Sequence, residues 1–150
     1  MTTLRPLLSL AAAGVLAAAA LAPTSAPRGP AIAVYKSPTC GCCAKWVEHL
    51  RAAGFAVAVH DTSDVQAVKT RHGVPAALAS CHTAVAAGYV FEGHVPADLI
   101  ERFLQEAPAA AGLAVPGMPV GSPGMEGPSP RRYEVVAFDL RGRTSVYATR

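Results

Sequence analysis

The chain has 150 residues, a formal net charge of +3 and four cysteines, which leaves room for one domain of ordinary size with extensions. Its basic residues are scattered, with Arg131-Arg132 the one pair of note, so the clustered Lys/Arg and interleaved aromatics of a nucleic-acid surface are excluded. The apolar share of 51% is raised by the N-terminal segment, and the remainder has the composition of an ordinary soluble domain.

Met1 to Pro6 carries a single charge, Arg5, ahead of an uncharged Leu/Ala/Val run from Leu7 to about Ala22. That is the pattern of a secretory signal peptide. Ala20-Leu21-Ala22 and Thr24-Ser25-Ala26 offer cleavage sites, so residues 1–26 are expected to be removed on export to the periplasm. An uncleaved membrane anchor is the alternative, but the run is short of the roughly 20 residues a span needs. No stable membrane span is expected after processing. An oxidising compartment permits disulfides.

Ala31 to Lys36 reads as a buried strand that Pro38 stops. Cys40-Gly41-Cys42-Cys43 follows at a strand-to-helix turn, with Cys43, Trp46, Val47 and Leu50 at the i, i+3, i+4 and i+7 positions of one helical face. Phe55 to His60 alternates as a second strand. Asp61-Thr62-Ser63-Asp64 supplies capping oxygens for a second helix with Lys69, Arg71 and His72 near its end and Gly73 beyond it. Val74-Pro75 opens a third strand running to Thr83. Ala86-Ala87-Gly88 turns the chain into a fourth, Tyr89 to Glu92, and Pro96 starts a helix with Leu99, Ile100, Phe103 and Leu104 inward. From Ala107 to Pro130 the composition shifts to Pro, Gly and Ala with Met118 and Met125. Its retained apolar residues predict an ordered loop lying on the domain. Tyr133 to Asp139 and Arg143 to Ala148 make a closing hairpin.

Three chemistries compete for the sulfurs. The outer members of Cys40-Gly41-Cys42-Cys43 form a C-x-x-C at a helix N-terminus, the thioredoxin-like arrangement, where unpaired N–H groups favour the thiolate. Val74-Pro75 sits where that fold places a cis-proline. Zinc would use Cys40 and Cys43 with Cys81 and His82, which leaves Cys42 idle. Copper suits soft thiolate and thioether donors, and bridging thiolates can serve several Cu(I) ions together.

Cys40-Gly41-Cys42-Cys43 with Trp46, Ser80-Cys81-His82-Thr83, Gly93-His94-Val95-Pro96-Ala97 and the Pro/Gly/Met loop resemble the CopG-like copper-resistance proteins over roughly Tyr35 to Tyr147. The resemblance implies a periplasmic, thioredoxin-like domain that binds copper through Cys40, Cys42, Cys43 and Cys81. His82, His94, Met118 and Met125 lie in the shared motifs as further candidate ligands.

The combined expectation is an α/β, thioredoxin-like domain of order β-α-β-α-β-β-α over residues 27–108. A C-terminal Pro/Gly/Met loop and β-hairpin, residues 109–150, pack on it. Its expected function is copper resistance through thiolate-bound Cu(I), with interconversion of Cu(I) and Cu(II) as its enzymatic form and another periplasmic copper or electron-transfer protein as partner. The alternatives are a thiol–disulfide oxidoreductase with Cys40 as nucleophile and Cys43 as resolving thiol, and a copper chaperone.

Overall fold

A computed structural model describes residues 27–150; the expected leader at residues 1–26 lies outside the described residues. The chain runs through β1 (Ile32–Lys36), α1 (Gly41–Ala52), β2 (Val57–Asp61), α2 (Val65–Arg71), a 3-10 turn (Ala76–Leu78), β3 (Thr83–Ala86), β4 (Tyr89–Glu92), α3 (Ala97–Glu106), β5 (Gly112–Ala114), β6 (Glu134–Phe138) and β7 (Thr144–Thr149). All seven strands join one sheet in the order β2-β1-β3-β4-β5-β6-β7. β1 and β2 pair in parallel, as the helical crossover of α1 requires, and β3 and β4 form an antiparallel hairpin.

The helices form where their apolar periodicity and caps direct. In α1 the four residues Cys43, Trp46, Val47 and Leu50 are all buried. The Asp64 side chain accepts the Ala67 N–H at 2.9 Å and starts α2. Register then divides the sheet into two faces. Val34, Ala84, Phe91 and Leu113 lie level on neighbouring strands and enter the main core with Trp46, Ile100 and Phe103 of α1 and α3. Tyr35, Thr83, Glu92 and Ala114 form the adjacent row, and successive strand residues point to opposite faces. That row therefore belongs to the other face, where Lys69 of α2 reaches Thr83 and Glu92 and Leu78, Val90, Ala114 and Phe138 form a smaller apolar cluster.

Two expectations need correction. The third strand begins at Thr83, not at Val74-Pro75, and every peptide bond among the described residues is trans. Pro75, with φ −60° and ψ 134°, instead sits at the N-terminal cap of the Ala76–Leu78 turn, a helical-start position that a residue without an N–H suits. The Pro/Gly/Met loop also contains a strand. β5 pairs parallel to β4 and antiparallel to β6, so the closing hairpin extends the sheet itself.

β5 is only three residues long, and at Gly112 a Cβ would run into the Val90 carbonyl of β4. Close backbone approach leaves room for glycine alone. Gly112→Ala is therefore expected to lower unfolding stability by about 3 kcal/mol through overpacking, measured by urea denaturation.

Candidate metal centre

The turn after β1 ends with Cys40 at the N-cap of α1, in extended conformation. Its Sγ accepts the Cys43 N–H at 3.3 Å, taking one of the N–H groups that a helix start leaves unpaired. No acidic residue occupies the first turn of α1, so the field there favours electron-rich sulfur. Cys40 and Cys43 are joined as a disulfide, while Cys42 and Cys81 are free and half-buried.

Cys81 arrives from the segment just before β3. The Cys42 Sγ lies 3.5 Å from the Cys40 Sγ and 3.8 Å from the Cys81 Sγ. All four sulfurs fall within 4.8 Å of one another, a grouping capable of holding a metal ion. Burial, then the charge and hydrogen bond of Cys42, push the Cys81 thiol up from 9.0 to about 11, against the opposing influence of Lys69 and Ser80. A metal that binds here displaces a proton, since the thiolate is the ligand form.

Two imidazoles lie beside the sulfur-bearing helix. The His82 ring packs on Trp46 with centroids 4.3 Å apart, and the His94 ring meets it edge-on at 5.0 Å. Both histidines are fully buried. His94 Nδ1 is 2.7 Å from the Pro123 carbonyl; a carbonyl only accepts, so Nδ1 carries the proton and Nε2 presents a lone pair. That Nε2 and both ring nitrogens of His82 are buried without a hydrogen-bond partner. Such orphaned groups are costly. A backbone carbonyl orienting the far nitrogen is the usual support of a metal-bound histidine. Four cysteine sulfurs in one group, two of them free thiols and two joined as a disulfide that reduction would open, fit a soft metal such as copper.

The 115–126 segment lies against both cysteine-bearing segments. Gly124 has φ +85°, and a Cβ there would stand 2.6 Å from the Cys42 carbonyl and 3.4 Å from His94 Nδ1, so only glycine permits this approach. The Glu126 carboxylate accepts the Gly124 N–H at 2.7 Å. At the other end the Ser80 hydroxyl donates to the Gly117 carbonyl. Met118 is exposed and Met125 half-buried, each next to one of these two contacts with the cysteine segments.

His94 does not cap α3, as a residue at that position can. The cap comes from α1, where His49 Nε2 accepts the Ala97 N–H at 3.1 Å. Sequence reasoning also missed Lys69 and Glu92. Lys69, read as a helix-end cation, is buried and 2.6 Å from the fully buried Glu92 carboxylate. The one signal was a carboxylate closing the otherwise apolar run Tyr89-Val90-Phe91-Glu92. His60 and His72 lie away from the cluster, against Tyr35.

Burial holds the His82 imidazole well below its ordinary 6.5, helped by His94 and Lys69, and holds His94 and His49 below it too. A folded chain that resists protons taken up by the unfolded chain is most stable above pH 6.5 and loses stability as pH falls below it. Thermal melts of the metal-free protein from about pH 7.5 to about pH 5 are expected to show a falling Tm. His82→Phe, with no proton to accept, should flatten that slope.

Residues 78–125 match a family model described as a protein of unknown function, DUF411. No curated protein sequence matches the chain. Two solved structures of copper resistance protein CopG match it, Form 2 with a TM-score of 0.77 and Form 1 with 0.76. Each is 49% identical, covering 81% of this chain and 98% of the other. At that identity and coverage, with a mixed α/β fold of one sheet and three helices among the described residues and a cysteine cluster fit for copper, the chain belongs to the family of the copper resistance protein CopG.

Proposed function

We propose that this is an exported copper-handling protein whose cargo is Cu(I), held by the thiolates of Cys40, Cys42, Cys43 and Cys81. The observation that carries this is the convergence of four sulfurs from two chain segments within 4.8 Å. Thiolates select Cu(I), and bridging thiolates accommodate several ions where one tetrahedral site would leave donors idle. The partnerless nitrogens of His82 and His94, which lie outside the four-sulfur group, are further candidate donors, as are the soft Met118 and Met125 of the 115–126 segment.

Loading the full set requires the Cys40–Cys43 disulfide to be reduced by two electrons, because disulfide sulfur is no longer a thiolate. Imidazole accommodates Cu(II) while thiolate holds Cu(I), so the mixed donor set suits interconversion of the two. Each Cu(I) leaving as Cu(II) gives up one electron, received by a periplasmic copper or electron-transfer protein. The scaffold reads as a thioredoxin-like domain over residues 27–108: parallel β1 and β2, an antiparallel β3–β4 pair and the cysteine turn at the start of α1 support it. Residues 109–150 form its cover and sheet extension, and residues 1–26 are the leader that directs export.

The disulfide at the start of α1 favours a second reading, a thiol–disulfide oxidoreductase with Cys40 attacked or attacking and Cys43 resolving. Cys81 separates the two, since a two-cysteine cycle does not need it. In the reduced protein, Cys81→Ser is expected to weaken Cu(I) retention against a chromogenic chelator by at least about tenfold, or about 1.4 kcal/mol. Unchanged retention together with substantial disulfide reductase activity in the parent would refute the copper reading.

A further inference from the structure

The segment that carries Cys81 lies outside the sheet ladder, which on β3 begins at Thr83. Its backbone is held instead from β4. The Ser80 N–H donates to Glu92 Oε1 at 2.6 Å, and the Gly93 N–H donates to the His82 carbonyl at 2.9 Å. Consecutive residues of one strand end thus hold the backbone on both sides of Cys81.

The carboxylate that makes the first of these contacts is itself fixed. Lys69 Nζ donates to Glu92 Oε1 at 2.6 Å and to the Thr83 hydroxyl at 3.2 Å, and that hydroxyl donates to Glu92 Oε2 at 2.7 Å. Glu92 and Thr83 are fully buried and Lys69 is 5% exposed. A buried ion pair is poor evidence of a stability role, because well-packed apolar residues often replace one without loss. Its presence calls for another account, and the Ser80 contact supplies it.

We propose that Glu92, locked in place by Lys69 and Thr83, is the positioning residue for Cys81, fixing where its sulfur stands relative to Cys42. Partners behind a metal ligand typically change affinity 10- to 100-fold when removed. The copper arm of the test rests on the copper-holding reading above; the backbone arm does not.

Two double variants separate anchoring from folding. Lys69→Met with Glu92→Leu removes both the charges and the acceptor. Lys69→Met with Glu92→Gln removes the charges but keeps a carbonyl oxygen for the Ser80 N–H. Hydrogen exchange on the reduced, metal-free protein is expected to show the Ser80 amide, which donates to Glu92, exchanging about tenfold faster in the Leu variant. The Gln variant should keep near-parent protection, and α3 amides should be unchanged in both. Unaltered exchange at Ser80 in the Leu variant, or loss throughout the molecule in both variants, overturns the proposal.

In the copper arm, Cu(I) is competed against a chromogenic chelator. The Leu variant should hold it about 10- to 100-fold more weakly, the Gln variant within about threefold of the parent, and Cys81→Ser should abolish the difference between them. If Cys81→Ser alone leaves Cu(I) retention intact, the copper reading fails and the exchange result still decides the positioning role. If Cys81→Ser weakens retention but the Leu variant does not, the positioning role fails and the copper reading stands.

Discussion

The site depends on the register between β1 and β3. Tyr35 faces Thr83 across an antiparallel pair, so the chain leaving β1 towards the cysteine turn runs beside the chain entering β3 through Ser80-Cys81-His82. A slip of one residue would turn every side chain of β3 to the opposite face. Thr83 would then leave Glu92 and Lys69, and Ala84 would leave the main core. Two separate demands, an apolar one on the helix face and a polar one on the α2 face, fix the same register. The proximity of sulfurs 39 positions apart, Cys42 and Cys81, follows from strand pairing.

Around that crossing several polar side chains are buried, among them Lys69, His82, Thr83, Glu92 and His94. Trp46 spends its indole N–H on the Val95 carbonyl at 2.8 Å and its ring face on His82, so one side chain serves both the core and the wall of the site. Each polar atom of the Lys69–Glu92 pair has a hydrogen-bond partner, whereas both nitrogens of His82 and Nε2 of His94 have none. A fully satisfied network rigidifies, and a partly satisfied one is costly. The two arrangements, one hydrogen-bonded and one with unpartnered nitrogens, stand a few residues apart.

Much of this was legible in the sequence wherever a local rule governed. The spacing of Cys43, Trp46, Val47 and Leu50 predicts the buried face of α1, and the runs Tyr133 to Asp139 and Arg143 to Ala148 predict the final hairpin. Four cysteines and two histidines were named as candidates from their motifs, and the fold brings the four sulfurs into one group and the two rings together. What escaped was non-local. Pro75 is a valid strand-start residue and an equally valid helix-start residue, and only the surrounding contacts choose. β5 is too short to show a period of two. Lys69 obeyed the rule for a cation at a helix end, yet its partner is 23 positions away on a central strand, beyond the reach of any pattern within the helix.

The cover over the cluster has a further consequence, which concerns time. Cys40, Cys42 and Cys43 come early in the described chain, and Cys81, His82 and His94 follow. Pro123, which orients His94, and Gly124, which rests on the Cys42 carbonyl, come last. In a chain that emerges N-terminus first, the residues that carry the sulfurs are present before the segment that lies against them. The roof is the final piece of the site to arrive, and β5, which immediately precedes it, must find its place beside β4 for the roof to be held at the right height.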